Sequence, residues 1–194
     1  MHKRLLSTLS IAGLLVASVL AHAQASTWKI DPDHSSVQFR VRHMGVSNVH
    51  GSIGNVTGTV MVNDADITKS SVKATMDTST VWTGTAARDR DLKSASFFDV
   101  AKYPQLSFVS TSLARSDGKL QLTGDLTIKD VTRSVTFDLE GPSPPVTGKD
   151  GKTRSGFSAS GTLKRSDFSF APKYPAAIIG NEIKFTIDVE LDKQ

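Results

Sequence analysis

From Trp28 to Leu191 the chain alternates apolar and polar residues with a period of two, and clusters of turn residues punctuate the runs. That period puts successive side chains on opposite faces of an extended strand, so each run can bury one face and wet the other. Ser36 to His43 is the clearest case: Val37, Phe39, Val41 and His43 share one face, and Ser36, Gln38, Arg40 and Arg42 the other. Val49, Gly51 and Ile53 continue the pattern, which changes phase at Gly54-Asn55, where a bulge or sharp bend is expected, and resumes at Val56, Gly58, Val60 and Val62. Later rows run through Val72, Ala74 and Met76, through Leu106 and Phe108, and through Leu120, Leu122, Gly124, Leu126 and Ile128. Val135, Phe137 and Leu139, then Phe157, Ala159, Gly161 and Leu163, and finally Ile183, Phe185, Ile187, Val189 and Leu191 complete the set. Asp117-Gly118 and Asp150-Gly151 mark hairpins, and Gly141 to Pro145 a Pro-rich loop.

One stretch breaks the pattern. Arg88 to Lys93 is charged and built of helix formers, Phe97 and Phe98 stand side by side, and Tyr103-Pro104 ends any helix and launches a strand. Thr83 or Thr85 is the expected cap, Asp89 and Asp91 lie early and Lys93 late, and Ser94 offers a second cap. The aromatic pair is expected to reach the interior enclosed by the strands. The charged run Arg88 to Asp91 reads as a solvated or ion-paired face.

Eight or nine strands with one short helical insertion make an all-β protein, either a sandwich or a closed antiparallel barrel. Glycines on the inward rows, at Gly51, Gly58, Gly124 and Gly161, favour the barrel, because strong curvature or close approach of a guest needs a missing side chain. An eight-stranded barrel is just wide enough to be filled by side chains or to hold one small ligand.

Lys3 and Arg4, the apolar run Leu5 to Leu20, and Ala21-His22-Ala23 or Ala23-Gln24-Ala25 make a Sec-type signal peptide, residues 1–25. A membrane anchor is the weaker alternative, because serines and a threonine interrupt a run already near the lower length limit for spanning. Cleavage leaves a single domain, residues 26–194, and exports it to the periplasm. Losing Lys3 and Arg4 lowers Lys+Arg from 23 to 21 against 19 Asp+Glu, a net charge of +2 rather than +4. Basic residues are scattered rather than clustered on one face, which argues against nucleic acid. With no cysteine there is no disulfide and no thiol for a lipid, so the fold depends on its core.

The motifs together resemble the YceI family of secreted, lipocalin-like, polyisoprenoid-binding proteins. The matching pieces include Ile30 to Phe39, His43-Met44, Arg88-Asp89, Leu92-Lys93-Ser94, Phe97 to Val100, Lys102-Tyr103-Pro104, Leu122 to Lys129, Val131-Thr132-Arg133 and Ser166-Asp167-Phe168. The resemblance implies a lipocalin-like barrel whose tunnel takes up a long-chain isoprenoid, such as an isoprenoid quinone, or a similar lipid-like amphiphile. Three positions depart from the family pattern: Asp91 where many members carry His, Asp130 where Gly is usual, and Ser134 where Pro is usual. At Asp130 the left-handed turn is expected to survive, since Asp tolerates that conformation better than most residues.

Catalytic motifs are missing: there is no Gly-x-Ser-x-Gly elbow, no glycine-rich phosphate loop and no cysteine nucleophile. His34, His43 and His50 lie on segments that could neighbour one another, but no metal-type spacing links them, so a metal-assisted enzyme is the remote reading. No cofactor is implied. The expected ligand contacts are Val37, Phe39, Val41, Met76, Phe97, Phe98, Phe108, Leu122, Leu126, Phe137, Leu139, Phe157, Leu163, Phe170 and Ile187. Phe168 to Ile179 is unusually apolar for a loop and reads either as a mouth flap or as an ordinary packed cover. An interaction module with a ligand-indifferent barrel is the alternative function, and a homodimer is left open.

Overall fold

A computed structural model of the protein describes residues 25–194; the expected signal peptide lies outside the described residues except for Ala25. The strands are β1 (Ala25–Ile30), β2 (Ser36–His43), β3 (Ser47–Ile53), β4 (Val56–Asn63), β5 (Ser71–Asp77) and β6 (Gln105–Ser116). They continue with β7 (Lys119–Ile128), β8 (Val131–Glu140), β9 (Val146–Thr147), β10 (Thr153–Lys164) and β11 (Ile179–Lys193). The helix α1 (Ala86–Lys93) lies between β5 and β6.

Every pairing is antiparallel, and the sheet closes on itself. On one edge β11 pairs with β10 from Glu182↔Lys164 to Asp192↔Arg154. On the other edge it pairs first with β2, from Ile183↔Val41 to Asp188↔Ser36, and then with β1, from Leu191↔Ile30 to Lys193↔Trp28. β1 and β2 are thus two halves of one stave, and β3 and β4, which pair with β2 and β1 respectively, are halves of the next. The second stave bends at Gly54-Asn55, where Asn55 takes a φ of 50°. Eight staves result, each bonded to its neighbour in sequence and the first to the last, so the predicted barrel is the observed one and the sandwich is excluded. β9 is a two-residue addition along the start of β10.

Turn chemistry follows the sequence with one correction. Asp117 and Gly118 have φ of 50° and 78°, the left-handed pair that a tight two-residue hairpin demands. In the Ile128–Val131 hairpin, however, the left-handed residue is Lys129, at φ 59°, and not Asp130. Asp130 instead accepts a hydrogen bond from the Tyr103 hydroxyl at 3.1 Å, tying the β7–β8 turn to the segment after α1.

Three of the four inward glycines prove to have an occupant of the protein's own. A Cβ on Gly51 would lie 2.3 Å from the Phe39 ring, one on Gly124 2.5 Å from the Phe108 ring, and one on Gly161 2.6 Å from the Phe185 ring, whereas at Gly58, with φ 154°, it would meet the Lys73 carbonyl. Each phenyl fills the gap at a glycine of the neighbouring strand. Gly124→Ala therefore overpacks the lumen: Phe108 and the Val109 carbonyl, also 2.5 Å from the added carbon, have to give way. A loss of about 1–3 kcal/mol is expected from urea unfolding midpoints, and an unchanged midpoint would show the ring layer to be loose.

Candidate functional site

Register and burial define the lumen. Val37, Met76, Phe97, Phe98, Phe108, Leu122, Leu126 and Phe137 are buried, while Phe39, Val41, Leu139, Phe157, Leu163, Phe170 and Ile187 are half-buried. Phe108, Phe137 and Phe185 form a chain of rings across the middle, with centroids 5.1 Å apart at each step. Phe39, opposite Phe185 in register, extends the layer. On one side of it Val41, Leu163 and Ile183 lie in register as an upper lumen layer; on the other Phe157, Ile187 and Val189 form a lower one. Beyond the lower layer Ile30 and Leu191 pair in register and are buried, as is Trp28, whose indole donates to the Ser26 hydroxyl at 2.9 Å. Phe185 and Ile183 belong to the lumen although the expected contact set omits them; their place in the last alternating row was the available signal.

The upper layer stands next to the segment that joins β10 to β11. Arg165 is buried and organises it. Its Nη1 donates to the carbonyls of Phe170 and Ala171 at 3.1 and 2.9 Å, and its Nη2 to those of Tyr174 and Ile179 at 2.5 and 3.0 Å. Its Nε faces the carbonyls of Ile179 and Gly180, both at 3.3 Å. One guanidinium, with no carboxylate on it among the described residues, thus holds both ends of residues 170–180 through carbonyl dipoles, a use for which the planar fork of five donors is suited. Sequence reading passed over Arg165. Its signal was an arginine opening an apolar segment whose carbonyls have no strand to pair with.

Phe97 and Phe98 meet this flap. Phe98 lies 4.8 Å from Phe170, edge to face; Phe97 lies 6.0 Å from Phe170 and stacks on Tyr174 at 5.1 Å. Only Phe98 joins the barrel core, so the expectation that both rings reach the interior is corrected: Phe97 seals the flap from its edge. α1 is held differently from the expectation too. Thr85 sits at the N-cap without a side-chain capping bond. Asp89 instead accepts from the Thr83 amide and hydroxyl at 2.8 and 2.5 Å, and Arg88 donates to the Thr83 hydroxyl and carbonyl at 2.7 and 2.9 Å. Thr83 is buried against β3, so Arg88 and Asp89 are its anchor rather than a solvated face.

At the far end of the barrel the charges converge. His34 Nδ1 lies 2.9 Å from Asp31 Oδ2 and 3.9 Å from Glu190 Oε1, at the break between β1 and β2. Neither His43 nor His50 joins this group, which removes the three-histidine site. Arg154 Nε is 3.2 Å from Glu190 Oε1 and 3.3 Å from Asp192 Oδ1, the second an ion pair without hydrogen-bond geometry. A guanidinium on the very oxygen that would bind a metal opposes a dication there. The cluster is an ion-paired latch between the first stave and the last strand. Beside it, His34, Glu190, Phe157 and Val189 border an open groove of about 500 Å³ under the Pro-rich loop.

Two outcomes follow from these contacts. Arg165→Lys keeps the charge but loses the fork, and is expected to cost on the order of 3 kcal/mol and to speed proteolytic nicking between residues 170 and 180. Equal nicking rates in wild type and variant would contradict the clamp. The hydrogen bond that His34 donates to Asp31 raises the His34 pKa, and the same bond lowers that of Asp31. The His34 contribution is therefore full below the unfolded value of about 6.5 and fades as pH rises through its higher folded value, while that of Asp31 fades as pH falls through its lowered one. The gap in urea midpoint between wild type and His34→Ala should be larger at pH 5.5 than at pH 8.5; equal gaps would show no latch.

Comparison with known proteins agrees with this geometry. Residues 28–191 match the YceI-like domain. The chain is 35% identical to Protein YceI of Escherichia coli O157:H7 over 190 residues, covering 93% of this chain and 96% of that one. Its fold matches the crystal structure of the Campylobacter jejuni YCEI protein at a TM-score of 0.70 and 31% identity, over 79% of this chain and 90% of that one. A polyisoprenoid binding domain from Saccharophagus degradans, implicated in plant cell wall breakdown, shares the fold at a TM-score of 0.63 and 12% identity, over 88% of this chain and all of that one. An eight-staved barrel with an apolar lumen, matched by the family's domain along nearly its whole described length, is thus accounted for: the chain belongs to the YceI-like family.

Proposed function

We propose that the protein is an exported carrier that holds a polyisoprenoid, an isoprenoid quinone or a similar long apolar amphiphile in its barrel, for transport, storage or sequestration, without catalysis. The observation that carries this reading is the apolar lumen layer at the flap end. Val41, Leu163 and Phe170 are only half-buried there, and a flap fastened by one arginine adjoins them. The polyisoprenoid binding of the Saccharophagus degradans domain supports the ligand class. The charged, then apolar, then small-residue leader supports delivery to the periplasm through the Sec route. Among the described residues no helix is long and apolar enough to cross a membrane.

Burying a methylene is worth about 0.8 kcal/mol, so a prenyl chain gains affinity with length until the lumen can take no more. Ordering a long chain opposes part of that gain. The Phe39, Phe108, Phe137 and Phe185 layer sets where the chain stops or what it must push aside. Affinity thus comes from apolar length, and the polar head group remains near the flap.

A series of prenols of increasing length, titrated against a fluorescent apolar probe, tests the reading. Affinity should rise with each isoprene unit and then level off. Phe97→Ala combined with Phe98→Ala should weaken binding tenfold or more, a loss of about 1.4 kcal/mol, whereas Asp91→Ala, exposed on α1, should change it little. No length dependence, or equal losses in both variants, would contradict the lumen as the site.

A further inference from the structure

The two ends of the barrel differ in how their charges are arranged. At the far end Asp31, Asp150, Glu190 and Asp192 are paired with His34, Lys152 and Arg154. At the flap end acids flank the protruding segments at Asp167, Glu182 and along α1, but the segments themselves carry none: no Asp or Glu occurs from His34 to Asn63, or from Phe168 to Asn181. These segments meet, since the Met44 amide at the tip of the β2–β3 hairpin donates to the Ile178 carbonyl of the flap at 2.9 Å.

What they expose is apolar. Val46 is 81% exposed and Met44 56%, and Tyr174 and Ile178 are exposed beside them. From Pro172 to Ile178 seven consecutive residues, Pro-Lys-Tyr-Pro-Ala-Ala-Ile, face solvent, and Lys173 is the single charge among them. Arg42 stands directly behind the tip, its Nη2 donating to the Gly45 carbonyl at 2.7 Å and its Cβ packed against Gly180. Arg40 and Lys184, paired in register on the outer face, lie one step further back. Among the described residues none of Arg40, Arg42, Lys173 and Lys184 forms an ion pair.

We propose that the flap end of the barrel, the hairpin tip Met44–Val46 with the flap residues 172–178, docks on the surface of an anionic lipid bilayer. Apolar side chains on narrow convex tips with unpaired cations set just behind them match the layering of a bilayer interface, where acyl chains lie beneath anionic head groups. A convex tip offers no concave groove for a peptide. Arg42 and Lys173 have stems long enough to keep their charges among head groups while Val46, Tyr174 and Ile178 enter below them. Docked this way, the flap end of the barrel faces the lipid phase. That purpose rests on the proposed reading of an apolar cargo, but the docking itself does not.

The test is co-sedimentation of the purified protein with large unilamellar vesicles of phosphatidylglycerol mixed with phosphatidylcholine, and of phosphatidylcholine alone. Binding should be at least tenfold tighter on the anionic vesicles and should weaken as salt rises. Val46→Asp combined with Lys173→Glu should lose at least tenfold with thermal unfolding unchanged. Val146→Asp, at an apolar residue 66% exposed at the other end, should lose nothing. Wild-type protein that binds neither vesicle, equal binding of wild type and the double variant, equal loss in Val146→Asp, or a Val46-dependent dimer in place of vesicle binding would each overturn the proposal. Apolar-probe binding measured in parallel separates the two readings: vesicle binding without probe binding keeps the docking and discards the cargo, and the reverse discards the docking alone.

Discussion

β11 holds the barrel shut. Its fifteen residues carry hydrogen bonds on both edges, to β10 along one side and to β2 and then β1 along the other. Without that closure the sheet would have two open edges and its apolar inner rows would face water. Both ends of the strand are fastened by charge. Arg165 clamps the Ile179 carbonyl at its start, and Lys152 and Arg154 hold Asp192 near its end. Between those points Phe185, Ile187 and Leu191 enter the core or line the lumen. The same strand that completes the fold therefore also forms one wall of the site and anchors its cover.

Closure at eight staves fixes the width of the interior, and the phenyl-on-glycine pairs fill its middle. Four rings lie in that layer, and three of them, Phe39, Phe108 and Phe185, occupy space that a side chain on Gly51, Gly124 or Gly161 would take. The glycines thus serve rings of the protein's own, and a guest has to share the lumen with them. Packing of this kind is close to that of an organic crystal, so the space a chain uses must come from the half-buried margins or from movement of the rings. Placing a flap held by carbonyl dipoles over the upper margin gives the less rigid boundary to the side where entry is easiest.

The period of two in each row, the phase change at Gly54-Asn55 and the Asp-Gly turns made the strands readable from the sequence, because side-chain alternation and left-handed turn residues are local properties. The lumen residues were readable for the same reason, as members of inward rows. What stayed hidden depended on distant partners. Nothing near Arg165 indicates that its donors go to carbonyls as far along the chain as Ile179 and Gly180, and nothing near Asp89 indicates that it anchors Thr83 rather than facing solvent. Phe97 and Phe98 are adjacent and chemically identical, yet one enters the core and the other stacks on Tyr174, a division made by the short turn after α1. Lys129, not Asp130, takes the left-handed position, and the Asp130 carboxylate is engaged by Tyr103, a partner 27 residues away.

The claim on which the account turns is that the lumen holds a long apolar molecule. Native mass spectrometry of the protein purified without detergent from cells that produce the full chain tests this most directly. The account predicts a species heavier than the bare chain by the mass of one apolar amphiphile, which organic extraction removes and added prenol restores. Bare chain alone, before and after exposure to prenols and quinones of every length, would contradict it.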